Sequence, residues 1–324
     1  MTISVIIATR NRAPQLASAL GALAAQDRTP GDWEIVIVDN GSTDETAGVV
    51  RTAGARMPAP VVYVRETRSG KSHALNTAIG HARGDLLVLT DDDVLPSPGW
   101  LSAYARALQE SAADYAAGRI FPLWEADPPR WMSSRLYGVL AVGDGGPVPL
   151  PLGRGVNDQI MPIGANMAVR RHVIERIGGW NTSLGKLQGT LRTGEDHEFA
   201  LKMVRAGFRG VYVPDASVLH RVPPDRLRLG YFSRWYFDNG AIVAGLDQEF
   251  DTGVPKLLGV PRHLWRRFAS DLLGAPRALL LRDAPSATAC VMRVLWFGGY
   301  LRGRWGRRQD RAALGARPAA LPRN

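Results

Sequence analysis

The sequence has little cysteine and no long hydrophobic run: it contains one cysteine, Cys290, in 324 residues. A single cysteine excludes an internal disulfide and favours a reducing compartment, so we expect Cys290 to be a small buried apolar side chain. A membrane-spanning helix needs about 20 consecutive apolar residues, and every apolar run here is shorter. The first residues, MTISVIIATRNR, lack the basic segment and cleavage site of a secretory signal. We therefore predict a cytoplasmic protein whose first apolar run is a core strand.

Positive charge is concentrated near the end of the chain. Residues 1–250 carry 26 basic and 26 acidic side chains, whereas residues 251–324 carry 14 and 4, which gives the whole net charge of +10. The second region also mixes apolar clusters with Trp265, Trp296 and Trp305. Two interpretations stay open: an amphipathic helical region on an anionic membrane, at the inner face of the cell membrane, or a helical subdomain packed on the core. Nucleic-acid binding is disfavoured because no known nucleic-acid-binding module accompanies the charge. The last 20 residues are predicted to be disordered.

Strand-like and helix-like patterns alternate over the first hundred residues. Continuous apolar strands that alternate with helices predict an α/β fold with a mostly parallel sheet covered on both faces. Further along, residues 207–213 predict a strand that leads into residues 215–220, and the Pro- and Gly-rich residues 122–160 predict a long mobile loop near the active site. The predicted strands of the first part are 3–8, 33–38, 60–65 and 85–90, and its predicted helices are 13–26, 43–51, 72–82 and 100–111.

Polar residues follow each predicted strand of the first part. They are Thr9-Arg10-Asn11, Asp39-Asn40-Gly41, residues 66–71 and Asp91-Asp92-Asp93. In parallel α/β sheets, ligands bind outside the carboxyl ends of the strands. The sequence therefore predicts one ligand site at this edge of the sheet.

The acidic triplet Asp91-Asp92-Asp93 is the first candidate metal site. Adjacent carboxylates repel one another, and a divalent cation relieves that repulsion. Carboxylate oxygens favour Mg²⁺ or Mn²⁺, and Asp91 and Asp93 point to the same side if the backbone is extended. The alternative is a solvated acidic loop or the start of a helix, because Pro96 and Pro98 follow.

Eight short segments form an ordered set of motifs: SVIIATRNR (4–12), VDNGSTDET (38–46), GKSHALNTAIGHARGD (70–85), LTDDDVLPSPGWL (89–101), GANMAVRR (164–171), GGW (178–180), GEDHEF (194–199) and VLHRVPP (218–224). Together they resemble the family 2 inverting glycosyltransferases, over roughly residues 2 to 240. The resemblance implies a GT-A fold, which is a Rossmann-like, mostly parallel sheet flanked by helices, with a helical basic C-terminal extension added in this chain.

The resemblance also implies roles for individual residues. Asp91 and Asp93 correspond to the metal motif, with Asp93 as the direct ligand, Asp91 near the ribose or the metal, and His220 completing the metal site. Asp196 corresponds to the general base. The donor nucleotide would be bound by Thr9, Arg10, Asp39, Lys71, Asp91 and Asp92, and the acceptor or sugar pocket would be lined by Asn166, Trp180 and Glu195. The alternative is a packing role for Asn166 and Trp180, and a structural role for His220.

The chemistry explains why a second acid is needed away from the metal. In a single displacement at the anomeric carbon, the acceptor hydroxyl is deprotonated on the face opposite the departing nucleoside diphosphate. The base and the metal must therefore lie on opposite sides of the sugar. The alternative for Glu195-Asp196 is a helix N-terminus, where acidic residues are favoured.

The predicted function is the transfer of a sugar from a nucleoside diphosphate sugar, with UDP favoured and GDP or dTDP as alternatives, to a hydroxyl of a glycan, lipid-linked sugar or small molecule. The predicted cofactor is Mg²⁺ or Mn²⁺. Residues 1–250 would be catalytic, with 1–120 binding the nucleotide and 121–250 the acceptor, and 251–324 would be the basic extension.

Three other interpretations are weaker. A nucleotidyltransferase would have a glycine-rich loop after the first strand, and ATRNRAP lacks it. A scaffold protein that binds nucleotide sugars would have lost a metal or base carboxylate. A processive synthase would need spanning helices and Gln-x-x-Arg-Trp, and Tyr231 stands in the Gln position before Arg234-Trp235.

Overall fold

The computed structural model describes residues 1–27, 31–153, 160–185, 193–250 and 253–306. These residues form two compact units. The first comprises Met1–Leu123, Ala141–Thr182 and Glu195–Arg221, apart from the residues outside the described ranges. The second comprises Trp124–Leu140, Ser183–Gly194 and Val222–Asn324, with the same exception.

The first unit alternates strands and helices in its N-terminal half, as the apolar pattern predicts. The N-terminal elements are β1 (Ile3–Thr9), α1 (Ala13–Ala24), β2 (Trp33–Asp39), α2 (Thr46–Gly54), β3 (Val61–Arg65), α3 (Lys71–His81), β4 (Leu86–Asp91), β5 (Val94–Pro96) and α4 (Trp100–Glu110). They are followed by β6 (Tyr115–Trp124), β7 (Leu150–Leu152), β8 (Asn166–Arg170), α5 (Arg171–Ile177), α6 (Glu195–Arg205) and β9 (Gly210–Val222).

One mixed sheet holds the described strands of this unit together. Its order is β3-β2-β1-β4-β8-β6-β9-β5, and β7 pairs with β9. The strands β3, β2, β1 and β4 run parallel, and β8 is antiparallel to β4. The predicted mostly parallel α/β sheet is therefore confirmed in its N-terminal half, and antiparallel strands extend it beyond β4.

Two apolar layers cover the sheet because successive side chains of a strand point to opposite faces. On one face, Ile3, Val5 and Ile7 pack in a cluster with buried residues of α1, α2 and α4. On the other face, Ile6 and Val36 pack in a cluster with residues of α3, α5 and α6. This helix–sheet–helix sandwich fixes the strands, so the loops at their carboxyl ends are held on a rigid frame.

Two predictions of local structure need correction. The two predicted segments 207–213 and 215–220 belong to one strand, β9, which begins at Gly210 and continues past Pro214 to Val222 with alternating buried and more exposed side chains. Residues 122–160 are not a single loop, since they contain the end of β6, a 3-10 helix at Ser134–Leu140 and the strand β7. Residues 154–159 of that predicted mobile loop lie outside the described residues.

The second unit is helical and contains α7 (Leu229–Glu249), α8 (Arg262–Leu280) and α9 (Ala284–Trp305). It also contains a short helical turn at Pro224–Arg226 and a two-stranded ribbon of β10 (Lys256–Leu257) and β11 (Val260–Pro261). Its core includes Ala244, Val260, Leu264, Phe297 and Tyr300, so α7 packs with α8 and α9.

The predicted helical C-terminal part is present, and the structure groups α7 with it although the sequence places that boundary at residue 250. The division of roles among 1–120, 121–250 and 251–324 stays a prediction. The predicted disordered end lies outside the described residues from 307 onward. Within the described part of the chain, none of the helices combines the length and hydropathy that a bilayer crossing requires.

Candidate active site

Three neighbouring strands end side by side at one edge of the sheet. In the register of β1 with β2, Thr9 is opposite Asp39, and in the register of β1 with β4, Ala8 is opposite Asp91. The polar residues that follow these strands in the sequence therefore meet at the carboxyl edge, where α/β sheets bind ligands.

The acidic triplet spans the end of β4 and the turn that leads into β5. Asp91 is the last residue of β4, and Asp92 and Asp93 lie in the turn. The prediction that Asp91 and Asp93 point to the same side assumes an extended backbone, and the turn removes that alternation. As a result, each of the three carboxylates contacts a different set of side chains.

Asp92 and Asp93 share an arginine. Arg12 Nη1 lies 2.9 Å from Asp92 Oδ1 and 2.7 Å from Asp93 Oδ2, and Thr9 Oγ1 donates to Asp92 Oδ2 at 2.8 Å. Burial opposes the charged form of the Arg12 guanidinium, but Asp92 and Asp93 raise its pKa above the ordinary value. Arg12 is not among the site residues predicted from the sequence.

Negatively charged groups lie close together in the acidic cluster. The pKa of Asp92 is raised to about 6, mainly by burial and also by the neighbouring Asp93, although Arg12 acts in the opposite direction. Two cationic side chains, Arg12 and Lys71, contact the three carboxylates. A divalent cation bound here would relieve the repulsion that Asp93 and Asp91 exert on Asp92.

His220 lies against Asp93, the residue predicted as the direct metal ligand. It is on β9, opposite Val94 of β5, and its Nε2 lies 3.3 Å from Asp93 Oδ1. Both side chains are buried, and the Arg221 N–H also donates to the Asp93 carbonyl. Two strands thus fix the imidazole and the carboxylate with respect to each other.

Asp39 is buried at the end of β2 and already accepts two hydrogen bonds. The Ser42 N–H donates to Oδ1 at 2.7 Å, and the Tyr63 hydroxyl donates to Oδ2 at 2.6 Å. Burial and this bond raise the pKa of Tyr63 to about 12. Arg10, also predicted on the donor side, donates to Ser69 Oγ at 3.1 Å in a more exposed position.

Lys71 links the acidic triplet to the second pair of carboxylates. It begins α3, and its Nζ lies 2.5 Å from Asp91 Oδ1. Burial opposes the charged form of this ammonium group, but Asp91, Asp196 and Glu195 raise its pKa well above the ordinary value. The site at the strand ends and the first turn of α6 are therefore close enough to interact electrostatically.

Asp196 is held by two N–H donors at the start of α6. The Gly164 N–H donates to Oδ2 at 2.9 Å, and the Trp180 indole donates to Oδ1 at 3.3 Å. A Cβ at position 164 would lie only 2.9 Å from Oδ1, so the glycine lets the backbone approach the carboxylate. Glu195, the neighbouring residue, is buried.

Trp180 is itself fixed from two directions. Its ring stacks on Phe199 with centroids 4.1 Å apart and planes at 7°. Asn76 accepts from the Trp180 N–H and donates to its carbonyl, both at 2.8 Å. With 2% of its surface exposed, Trp180 orients Asp196 and does not present an open face to a ligand.

The oxygen and the nitrogen of the Asn166 side-chain amide are both hydrogen-bonded inside the protein. Its Oδ1 accepts from Trp100 Nε1 and the Tyr104 hydroxyl, both at 2.7 Å, and its Nδ2 donates to the carbonyls of Arg119 and Ala216. Since the side chain is also 1% exposed, we assign it a role in joining strands to α4. With two accepted and two donated hydrogen bonds, the Asn166 amide has no donor or acceptor left for the predicted contact with an acceptor substrate.

Asp93 and His220 are the residues best placed to hold a divalent cation. Within the described ranges, no three His, Cys, Asp or Glu side chains already form a metal site. A Mg²⁺ site often uses one or two protein ligands and completes its coordination with water and substrate phosphates. Two neighbouring ligands of one octahedral ion lie about 3 Å apart, and the observed 3.3 Å between Asp93 Oδ1 and His220 Nε2 fits that spacing.

Residues 4–178 match the family model described as Glycosyl transferase family 2. Among curated proteins, a 105-residue segment is 35% identical to validoxylamine A glucosyltransferase of Streptomyces hygroscopicus subsp. limoneus, covering 32% of this chain and 23% of that protein. A 226-residue segment is 22% identical to glucosyl-dolichyl phosphate glucuronosyltransferase of Haloferax volcanii, and it covers 68% of this chain and 70% of that protein. A 118-residue segment is 27% identical to the glycosyltransferase AglE of Haloferax volcanii, and it covers 36% of this chain and 39% of AglE. The matched segments thus span less than half the length of several of these relatives.

Solved structures share the fold. The mannosyltransferase PcManGT of Pyrobaculum calidifontis, in complex with GDP-Man and Mn²⁺, superimposes with a TM-score of 0.61 at 22% identity, covering 94% of this chain and 87% of that chain. S. aureus TarS residues 1–349, in complex with UDP-GlcNAc, superimposes with a TM-score of 0.54 at 19% identity, covering 95% of this chain and 93% of that chain. These matches confirm the predicted GT-A fold.

Proposed function

This chain belongs to glycosyl transferase family 2, and on that basis we propose that it transfers a sugar from a nucleoside diphosphate sugar to an acceptor hydroxyl with inversion at the anomeric carbon. The observation that carries the proposal is the link through Lys71, which contacts Asp91 and responds electrostatically to Asp196. This link supports a single site that contains both the acidic cluster, proposed to hold the metal and the diphosphate, and the carboxylate of Asp196.

On the donor side, the proposed roles follow from the donors and acceptors at the strand ends. Asp39 would accept an N–H of the nucleobase, with Thr9 and Arg10 beside it at the end of β1. Arg12 and Lys71 keep the acidic triplet in place by pairing with its carboxylates. A divalent cation, Mg²⁺ or Mn²⁺, held by Asp93 and His220, would supply positive charge to the diphosphate oxygens.

On the acceptor side, Asp196 is the proposed general base. Its carboxylate would take the proton from the acceptor hydroxyl while the oxygen forms its bond to the anomeric carbon and the bond from that carbon to the diphosphate oxygen breaks. Trp180 and Gly164 would hold the carboxylate in position for that transfer. Glu195, next to it, would complete the polar side of the pocket.

The donor is proposed to be a UDP-sugar, with GDP- and dTDP-sugars as the alternatives. Two of the structural neighbours were solved with GDP-Man and with UDP-GlcNAc, so a nucleotide-sugar donor is supported while the base stays open. The acceptor is proposed to be a glycan, a lipid-linked sugar or a small molecule with a free hydroxyl.

The proposal is tested by incubating the protein and Mn²⁺ with UDP-, GDP- and dTDP-sugars and a panel of hydroxyl acceptors, and by measuring the released nucleoside diphosphate. We expect release from one nucleotide class, with a product whose anomeric configuration, read from its proton coupling, is opposite to that of the donor. A folded protein that releases nothing from any donor, or that binds the donor unchanged as a scaffold would, contradicts the proposal.

Replacing Trp180 with Phe is expected to lower turnover by about tenfold while the affinity for nucleotide stays the same. Phenylalanine can keep the stack on Phe199 but loses the N–H that donates to Asp196, a charge-assisted hydrogen bond. The matched control is Trp33→Phe at the start of β2, on the opposite edge of the sheet. Equal activity of the two variants would show that the indole N–H does not position Asp196.

A further inference from the structure

A cluster of exposed leucines lies where α8 turns into α9. Leu272, Leu273, Leu279, Leu280 and Leu281 form this cluster, called here the leucine tip, and Leu273 and Leu280 are 78% and 85% exposed. The helix α8 ends at Leu280, and α9 begins at Ala284. Leu273 and Leu280 are seven residues apart and Leu272 and Leu279 likewise, so these four side chains lie on adjoining stripes of one helix face.

The opposite face of α8 packs in the core of the second unit. Leu264, Asp271 and Ala278 are buried along α8, and Leu264 packs in the same cluster as Phe297 of α9. Arg293 of α9 donates to the buried Asp271 carboxylate, with Nη2 at 2.6 Å from Oδ1. Rotating α8 to bury the leucine tip would break this ion pair and expose the apolar contacts. The tip is therefore held outward by the packing of its own hairpin.

Exposed arginines lie in and beside the leucine tip. Arg277 is exposed and lies between Leu273 and Leu279 in the sequence, and the exposed Arg282 directly follows Leu281. The exposed Arg135 belongs to the 3-10 helix Ser134–Leu140 of the same unit. Hydrogen bonds from Ser286 lower the pKa of Asp283, and Arg135 lowers it further, which places Arg135 near the start of α9. An apolar tip with exposed arginines beside it is complementary to a bilayer whose surface is anionic and whose interior is apolar.

We infer that the leucine tip docks the protein on an anionic lipid bilayer, with the leucines entering the acyl region and Arg135, Arg277 and Arg282 facing lipid headgroups. Single exposed leucines are ordinary on a protein surface, but five within ten residues form the kind of contiguous patch that marks an interaction site. The neighbouring charge selects anionic lipid over an apolar protein partner. This inference does not depend on the proposed function, since it concerns surface residues of the helical unit.

The test is co-sedimentation of the full chain with vesicles of phosphatidylcholine and with vesicles of phosphatidylcholine mixed with phosphatidylglycerol. We expect the protein to bind the anionic vesicles, and the double variant Leu279→Ser/Leu280→Ser to bind them about tenfold or more weakly. Replacing Arg135 and Arg277 with Gln should weaken binding by about fivefold for each arginine and reduce its dependence on salt.

The matched control is Leu257→Ser/Leu258→Ser. These leucines are 51% and 70% exposed in the same unit, but they precede the first residue of α8, at the end remote from the tip. Unchanged vesicle binding by the control, with the loss confined to the tip variant, supports the inference. Equal losses in both double variants, or a wild-type protein that does not bind anionic vesicles, overturn it.

Two further measurements distinguish membrane docking by the leucine tip from a dimer interface and from an effect on nucleotide binding. If light scattering shows a wild-type dimer that Leu279→Ser/Leu280→Ser converts to a monomer without vesicle binding by either, the tip is an interface between copies and the inference is wrong. Nucleotide binding by the tip variant should equal that of the wild type, so a failure of the membrane inference leaves the proposed function untouched.

Discussion

Replacing Asp196 with Asn is expected to reduce turnover by about 10²- to 10⁴-fold, the range that removal of a general base produces. The nucleotide should still bind with nearly the wild-type affinity, because the proposed donor contacts lie at the ends of β1, β2 and β4. The measurement is the rate of nucleoside diphosphate release under saturating donor, together with the dissociation constant of the nucleotide.

The structure also defines the control for this variant. Both Asp196 oxygens accept N–H donors, so an asparagine satisfies only one of them and leaves a second donor facing its NH₂ group. Thermal unfolding should therefore be measured beside activity. Asp215→Asn is the matched variant, since Asp215 is a 70% exposed carboxylate paired with Arg106 on the same unit. If Asp196→Asn keeps full turnover, the carboxylate is not the base.

Replacing Asp93 with Asn is expected to lower turnover by about 10³-fold and to abolish the activation by Mn²⁺ or Mg²⁺. A bound cation contributes several kcal/mol by stabilising charge on phosphate oxygens, and Asp93 is its proposed direct ligand. The variant also leaves Arg12 with one carboxylate partner, Asp92. Activity should be titrated against Mn²⁺ in the wild type and the variant.

Two controls separate loss of the metal from loss of structure. Asp215→Asn should follow the wild-type Mn²⁺ curve, because its carboxylate is outside the cluster. His220→Asn should shift the curve to higher Mn²⁺ concentration, because imidazole is the second proposed ligand. An Asp93→Asn protein that responds to Mn²⁺ as the wild type does would exclude Asp93 as a ligand.

The positions of the site residues could be predicted because they depend on topology. Once β1, β2 and β4 are recognised as parallel neighbours, Thr9, Asp39 and Asp91 must end at the same edge, and the observed registers agree. The apolar runs also predict most element boundaries to within a few residues. These features follow from local sequence patterns, which one sequence displays directly.

Features that depend on side-chain packing could not be predicted in the same way. The pairing of Arg12 with Asp92 and Asp93 joins residues about 80 positions apart, and only the register of β1 with β4 brings them together. Asn166 resembles a pocket residue in its motif, yet Trp100, Tyr104 and two backbone carbonyls use its amide completely. The turn at Asp92 likewise removes the alternation that a strand pattern suggests.

The sequence signals for these features were present but ambiguous. Two arginines, Arg10 and Arg12, follow β1, and nothing in their spacing shows which one contacts the acidic triplet. Asn11 has a positive φ of 50° between them, so the chain turns there and sends the two side chains to different partners. Arg10 contacts Ser69, whereas Arg12 contacts the carboxylates.

Calorimetric titration of the protein with UDP, GDP and dTDP, each in Mn²⁺ and then in EDTA, tests the central claim most directly. The account predicts that one nucleotide binds in Mn²⁺, that EDTA weakens its binding by tenfold or more, and that Asp93→Asn in Mn²⁺ resembles the wild type in EDTA. Binding that is identical with and without metal, or no binding of any of the three nucleotides, would contradict it.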